Sequence, residues 1–325
     1  MYPNASELLG AARVVSLPLA QRFRGIDVRE AMLLEGPEGW TEFSPFVEYD
    51  DAESASWLAA AIDFGWNRQP EPLRDSVRVN ATLPAVDSAA VAEVLDRFPG
   101  CRTVKVKVAE RGQTLDDDLD RVAAVRSRLG AGGRIRLDAN GGWGLDEAER
   151  AIRALVEFDL EYVEQPCASV PELANLRARI ADLAVLIAAD ESVRKAFDPL
   201  AVARAGAADI LVVKAQPLGG ITAALRIVAD AGLPVVVSSA LDTSVGLSMG
   251  AWLAAAIPEL DYDCGLGTAA LLSGDVSDQP LLPVDGAIPV RRVEVSDELL
   301  EHHAAAPDRT AWWLERLERC RRLLD

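Results

Sequence analysis

Three acidic residues recur along the chain at a constant interval. Asp138, Glu164 and Asp190 are 26 residues apart each time, and each ends a short apolar run. Carboxylates that converge raise one another's pKa, and a divalent cation removes that conflict. Ligation by oxygen alone favours Mg²⁺ or Mn²⁺ over zinc. The spacing therefore predicts a magnesium or manganese site, with ordinary helix N-caps as the alternative use of such residues.

The lysines are informative because they are rare, with four lysines against 29 arginines. An ammonium can lose its proton near neutral pH, whereas a guanidinium cannot. Lys105 and Lys107 alternate with valines, so on a strand their side chains point the same way and would lower each other's proton affinity. Lys214 ends another apolar run. We therefore predict that Lys107 and Lys214 are acid–base groups and that Lys105 tunes Lys107; Lys195 is expected at the surface.

The elements that must position these residues alternate between short β-branched runs and amphipathic helical stretches. The expected strands are 76–82, 103–109, 134–140, 162–166, 184–190, 209–216, 234–240 and, weakly, 262–267. An open doubly wound sheet is the alternative, but segment 130–135 lacks the last glycine of a dinucleotide fingerprint and precedes a strand. The pattern predicts an α/β fold, a (β/α)8-type (TIM-like) barrel with its catalytic groups at the C-terminal ends of the strands.

The two ends of the chain do not follow this alternation. Residues 12–47 have the pattern of strands with turns and 52–66 that of a helix, whereas 288–295 predicts a strand and the last residues a terminal helix. Because barrel termini lie close together, we expect both ends to build one α+β capping domain. The expected division is 1–75 for its N-terminal part, 76–268 for the barrel, and 269–325 for a segment that completes both.

Composition limits the partners and the compartment. The formal charge of −18 disfavours binding to nucleic acid or to an anionic membrane. The four cysteines are far apart in the chain and form no disulfide or zinc pattern, which favours a reducing cytoplasm. Neither a signal peptide nor a membrane span is expected from the apolar pattern. An anionic substrate would need local positive charge to be captured by so acidic a protein.

The ordered motifs resemble the muconate-lactonizing subgroup of the enolase superfamily over the whole chain. They are Lys105-Val-Lys107, Asp138-Ala-Asn140, Glu164-Gln-Pro, Asp190-Glu191-Ser, and Lys214 followed by Gly219-Gly220. The resemblance implies that the three carboxylates bind Mg²⁺, with Asn140 and Glu191 beside them. It also implies that Lys107 and Lys214 flank a carbon that loses its proton to give an enediolate, a use of lysine and Mg²⁺ known for this superfamily.

Shorter segments, among them FRGIDVRE, SSALDTS and GLGT, resemble one branch of that subgroup. The branch eliminates water from 2-succinyl-6-hydroxy-2,4-cyclohexadiene-1-carboxylate in menaquinone biosynthesis, and the substrate is a dicarboxylate. Its second carboxylate is expected near Ser238, Ser239 and Gly265, with Arg22 and Arg24 closing over the site.

Two alternative functions remain open. The same lysine pair could racemise N-succinylamino acids or epimerise dipeptides, and Asp261-Tyr262-Asp263 resembles the D-x-D motif of the epimerases. The other alternative, from a different functional class, is a barrel that binds a small molecule without catalysis.

Overall fold

The N-terminal part of the chain folds into an antiparallel sheet with two helices. The computed structural model describes residues 3–195 and 198–325. The sheet has the order β1-β2-β3. Its strands and helices are β1 (Ala12–Phe23), β2 (Ile26–Gly36), β3 (Gly39–Phe43), α1 (Ala5–Ala11) and α2 (Asp51–Trp66). The tight β1–β2 turn places Arg24 and Gly25 at positive φ, and Asp50 caps α2 by accepting a hydrogen bond from the Glu53 amide.

The centre of the molecule is a sheet of seven parallel strands. They are β5 (Ala81–Leu83), β6 (Thr103–Lys107), β7 (Arg134–Asp138), β8 (Leu160–Glu164), β9 (Leu186–Ala189), β10 (Ile210–Val213) and β11 (Val235–Val237), and they neighbour one another in this order. The connecting helices are α3 (Val91–Leu95), α4 (Leu115–Leu129), α5 (Leu145–Leu155), α6 (Val170–Arg179), α7 (Glu191–Arg194), α8 (Ala201–Arg204), α9 (Ile221–Ala231) and α10 (Ser244–Ala256). Because these strands are buried on both faces, they consist of nearly unbroken apolar runs.

Residues 264 and 265 close the curled sheet into a barrel. Cys264 forms a parallel bridge with Val79, and Gly265 forms one with Ser238. The eighth strand expected over 262–267 is therefore reduced to two bridged residues, which join the last strand of the sheet to the first. The predicted TIM-like architecture is confirmed.

Most of the expected strands are shorter than predicted, and two of them also differ in their pairing. The run 76–82 is divided into β4 (Ser76–Arg78) and β5, because β4 pairs antiparallel with β12 (Ala287–Pro289) while β5 pairs with β6. The run expected over 288–295 is a strand only in its first two residues, since the pairing with β4 ends at Pro289. The prediction of a strand was wrong for residues 290–295, which belong to no strand.

The end of the chain packs on its beginning. After α11 (Asp297–His302), α12 (Pro307–Arg322) contributes Trp313, Leu317 and Cys320 to a core shared with Phe43 and Trp57. The four cysteines are unpaired. Among the described residues, none of the helices combines the length and the apolar character needed to cross a bilayer.

Candidate active site

Adjacent strands place the predicted residues side by side. Lys107 is in register with Asp138, and Asp138 is in register with Glu164, so the last residues of β6, β7 and β8 form a row. Asp190 follows the last residue of β9, and Lys214 follows the last residue of β10. Parallel strands bring their carboxyl ends to one face of a barrel, which is why these five residues face the same mouth.

A pocket lies over this row. Its lining combines residues at and near the strand ends of the barrel with aromatic and basic residues of the N-terminal part of the chain. They are Phe23, Arg24, Phe46, Trp57, Thr82, Lys105, Lys107, Asp138, Asn140, Asp190, Arg194, Lys214, Pro217, Ser238, Ser239, Ala240, Leu241, Gly265 and Thr268. The capping segment therefore completes the cavity.

Two lysines meet one carboxylate on the first side of the pocket. Lys107 Nζ lies 2.5 Å from Asp138 Oδ2 and 2.7 Å from Asn140 Oδ1. Lys105 Nζ lies 3.2 Å from the same Asp138 oxygen and 3.0 Å from Glu164 Oε1. The Phe23 ring covers Lys107 Nζ at 5.4 Å. Lys107 is thus held by oxygen acceptors on one side and by an aromatic ring of the β1 end on another.

The third lysine occupies the opposite side. Lys214 Nζ donates to Asp190 Oδ2 at 2.5 Å, and Arg194 Nε donates to Asp190 Oδ1 at 3.0 Å. Lys214 follows β10, which is the fourth strand along the sheet from β6, the strand that carries Lys107. A ligand in the pocket would therefore have an ammonium group on each side.

Burial and charge shift the pKa values of the site in opposite directions. Burial opposes ionisation of Asp138 and Asp190, but the adjacent lysines outweigh it and hold both pKa values well below the ordinary range. Burial and the neighbouring Asp138 raise the pKa of Glu164 to about 7. Burial also lowers the pKa of Lys214, although Asp190 opposes this shift.

The surroundings of Lys105 favour its charged form. Burial disfavours its charge, but Glu164 and Asp138 outweigh burial and hold the pKa of Lys105 well above its ordinary value. The effect of Lys105 on the proton affinity of Lys107 stays a prediction. The Lys105 ammonium supplies counter-charge to two carboxylates.

The donor set of the site fits a hard divalent cation. Asp138, Glu164 and Asp190 are almost completely buried at successive strand ends, and they offer only oxygen. Asp190 precedes α7, but its side chain does not cap that helix. In this structure lysines engage the carboxylates, and no three His, Cys, Asp or Glu side chains of residues 3–195 and 198–325 are arranged as a metal centre.

The remaining predicted residues lie in different parts of the site. Ser238, Ser239, Gly265 and Arg24 line the pocket, whereas Arg22 lines an adjoining cleft. A Cβ at Gly265 would lie 2.5 Å from Ser238 Oγ, so a larger residue there would displace the Ser238 side chain. Away from the pocket wall, Glu191 accepts a hydrogen bond from Asn140 Nδ2 at 3.2 Å.

The D-x-D motif lies away from the pocket. Asp263 pairs with Arg78 at 3.0 Å and accepts a hydrogen bond from Thr103 Oγ1 at 2.6 Å. Thr103 begins β6, so Asp263 is at the end of the barrel opposite the lysines. This position removes the sequence argument for a dipeptide epimerase.

Several lining residues were not predicted from the sequence. Arg194 was overlooked, although its spacing of four from Asp190 and three from Glu191 is a signal for helical ion pairs. Phe46 and Trp57 carry no such signal, since they reach the pocket from the N-terminal part of the chain. Thr82 is the middle residue of β5, the first barrel strand, so its place in the pocket wall is not marked by a strand end.

Comparison with known proteins agrees with this arrangement. Residues 88–294 match the family described as enolase C-terminal domain-like, and residues 14–65 match the one described as enolase N-terminal domain-like. In solved structures, the chain resembles a muconate lactonizing enzyme from Pseudomonas fluorescens, with a TM-score of 0.76 and 21% identity over 90% of this chain and 98% of that one. A 2-chloromuconate cycloisomerase from Rhodococcus opacus gives a TM-score of 0.73 at 21% identity, covering 91% and 98%. At such identities the likeness describes the fold.

Curated relatives are much more similar in sequence. An o-succinylbenzoate synthase of Thermobifida fusca is 55% identical over 95% of both chains, and one of Mycobacterium ulcerans is 53% identical over 98% of this chain and 95% of the relative. The fold and the site thus define an enzyme of the enolase superfamily, which implies a divalent metal ion. Within that superfamily, the chain belongs to the o-succinylbenzoate synthase family.

Proposed function

We propose that this protein catalyses the Mg²⁺-dependent syn elimination of water from 2-succinyl-6-hydroxy-2,4-cyclohexadiene-1-carboxylate to give 2-succinylbenzoate, in menaquinone biosynthesis. The observation that carries the proposal is the pair of lysines on opposite sides of one pocket, each bonded at 2.5 Å to a different carboxylate. Relatives named for this activity at 53–55% identity support the substrate.

Lys107 is the group we assign to proton transfer. Its neutral amine would take the proton from the carbon next to the ring carboxylate, and Asp138 and Asn140 orient the Nζ atom for this step. The same ammonium would then give its proton to the departing hydroxide. The C–H and C–O bonds break, one ring double bond forms, and water leaves on the face from which the proton was taken.

Lys214 is assigned a charge-stabilising role on the other face. As an ammonium it would favour the negative charge that develops on the substrate carboxylate and ring, which is the electrostatic part of catalysis. Asp190 fixes the position of its Nζ atom. The Lys105 ammonium forms ion pairs with Asp138 and Glu164 and so balances their negative charge.

Asp138, Glu164 and Asp190 are the proposed Mg²⁺ ligands, and Mn²⁺ fits the same donors. The bound cation would stabilise the enediolate form of the substrate carboxylate. The succinyl carboxylate is assigned to Ser238 and Ser239, which line the pocket, as Arg24 does. A cytoplasmic location is also proposed, since the cysteines are free.

The test is a pair of parallel assays on the purified protein. One follows formation of 2-succinylbenzoate, and the other follows deuterium exchange at the α-carbon of N-succinylamino acids. We expect rapid product formation that stops with EDTA and returns with Mg²⁺ or Mn²⁺. Exchange without product formation would replace the synthase assignment by a racemase, and activity indifferent to chelation would contradict the metal site.

A further inference from the structure

Arg194 is a buried arginine whose three guanidinium nitrogens all have partners. Its Nε donates to Asp190 Oδ1 at 3.0 Å, one terminal nitrogen donates to Glu191 Oε1 at 2.8 Å, and the other donates to the Tyr49 hydroxyl at 3.0 Å. Only 3% of the Arg194 side chain is exposed. A planar guanidinium with this many partners fixes the orientation of each group that it contacts.

Tyr49 lies outside the barrel, between β3 and α2. Its ring packs edge-on against Phe46 and Trp57, with centroids 5.5 and 6.2 Å away. Its carbonyl accepts a hydrogen bond of 2.6 Å from Arg316 of the terminal helix. The Tyr49 hydroxyl is therefore a rigid point of the capping region that reaches the mouth of the barrel.

The two oxygens of Asp190 face different groups. Oδ1 is taken by Arg194, while Oδ2 faces Lys214 and the pocket. Rotation of the carboxylate would break the hydrogen bond from Arg194, so the guanidinium determines which oxygen points inward. A residue that orients a metal-binding carboxylate contributes to the affinity for the metal without touching it.

We propose that Arg194 is a positioning residue for the metal site, which holds Asp190 in its ligating orientation and anchors it to the capping region through Tyr49. The inference rests on the proposed metal ligands and extends them to two residues that no comparison assigns. It predicts that a change at Tyr49, which reaches the ligand Asp190 through Arg194, alters the affinity for the metal.

The experiment measures binding of Mn²⁺ alone to the full-length protein, by the paramagnetic resonance signal of free Mn²⁺. The variants are Arg194→Gln, Arg194→Lys and Tyr49→Phe, and the matched control is Arg226→Gln. Arg226 is an exposed arginine of α9 and makes the same change of side chain away from the site. Thermal unfolding of each variant is recorded in parallel, because a loss of structure alone would change both readouts.

We expect Arg194→Gln to raise the Kd for Mn²⁺ by about 10- to 100-fold, the usual effect of removing a group that orients a ligand. Arg194→Lys keeps the charge but not the fork, so its Kd falls between those of Arg194→Gln and the wild type. Tyr49→Phe removes one hydrogen bond and raises the Kd by about 2- to 10-fold in a protein that stays folded. Arg226→Gln leaves the Kd unchanged.

Wild-type affinity in a folded Arg194→Lys variant would overturn the role of Arg194, and this variant decides the question if Arg194→Gln does not fold. Wild-type affinity in Tyr49→Phe would overturn the anchor to the capping region. A wild-type protein that binds no Mn²⁺ would instead overturn the proposed metal site and, with it, this inference.

Discussion

Asp138 Oδ2 is shared by two ammonium groups, at 2.5 Å from Lys107 and 3.2 Å from Lys105. This oxygen thus orients Lys107, the proposed base, and its negative charge is balanced by the ammonium group of Lys105. The proximity of Lys105 to Glu164 could not be derived from the sequence, because it depends on the register between β6, β7 and β8. The counter-charge that Lys105 supplies to both carboxylates therefore could not be predicted from the sequence.

At the same scale, Lys214→Ala tests the charge-stabilising role. The variant removes one ammonium from the pocket wall and leaves Asp190 paired with Arg194. We expect kcat for 2-succinylbenzoate formation to fall by about 10²- to 10³-fold, as for loss of a preorganised charge donor. Steady-state kinetics beside Lys195→Ala, expected near wild type, make the measurement. A Lys214→Ala variant with unchanged kcat would exclude this lysine from the reaction.

Two strands of the N-terminal sheet, β2 and β3, contact the barrel near the start of α10. Glu42 of β3 accepts hydrogen bonds from the Thr243 and Gly246 amides, both at 3.1 Å. Arg29 of β2 donates to the Leu241 carbonyl at 3.1 Å. These contacts join the N-terminal sheet to the loop that carries part of the pocket wall. No spacing in the sequence indicates them, since more than 200 residues separate the partners.

Glu42 predicts a pH dependence of stability. Burial, followed by the nearby Asp242, raises its pKa from 4.5 to about 7 in the folded protein. The folded state therefore binds its proton more tightly, so the contribution is complete below pH 4.5 and is lost as the pH rises towards 7. Relative to Glu42→Gln, the wild type should lose up to about 3 kcal/mol over this range.

The measurement is urea unfolding of both proteins at several pH values between 4.5 and 7. Glu35→Gln, a change at an exposed position of the same sheet, is the control and should follow the wild type. Parallel pH profiles for the wild type and Glu42→Gln would contradict the raised pKa.

On the scale of the whole molecule, the terminal helix completes the capping region from the far end of the chain. Trp313 is fully buried, packs edge-on against Phe43 at 5.8 Å, and donates to Glu30 Oε2 at 2.9 Å. We propose on this basis that residues 1–75 and the C-terminal segment fold as one cap. Helix periodicity predicted the element, but only the tertiary contacts identify its partner.

Trp313→Ala tests that association. Removing a buried tryptophan should lower the free energy of unfolding by about 3–5 kcal/mol. Urea unfolding followed by circular dichroism measures it, with the half-buried neighbour Trp312→Ala as a control that should lose much less. Equal losses in the two variants would contradict the packing role assigned to Trp313.

The barrel itself was predictable because apolar runs, turns and carboxylates repeat at nearly equal intervals. The prediction of strands was less accurate at residues 76–83, where the chain changes from pairing with β12 to pairing with β6. It was also less accurate at Cys264 and Gly265, where two isolated β-bridges stand in place of a full strand. Site residues at strand ends were found because strand ends are visible in the sequence. The aromatic residues of the cap were not found, since they depend on how two parts of the chain meet, whereas Arg194 was overlooked despite its spacing from Asp190 and Glu191.

The central claim is that Lys107 is the base of a metal-dependent elimination, and Lys107→Arg tests it most directly. Arginine keeps the positive charge beside Asp138 but cannot act as a base near neutral pH. With Mg²⁺ present and a circular dichroism spectrum that matches the wild type, formation of 2-succinylbenzoate should fall by at least about 10²-fold. Turnover close to that of the wild type would contradict the account.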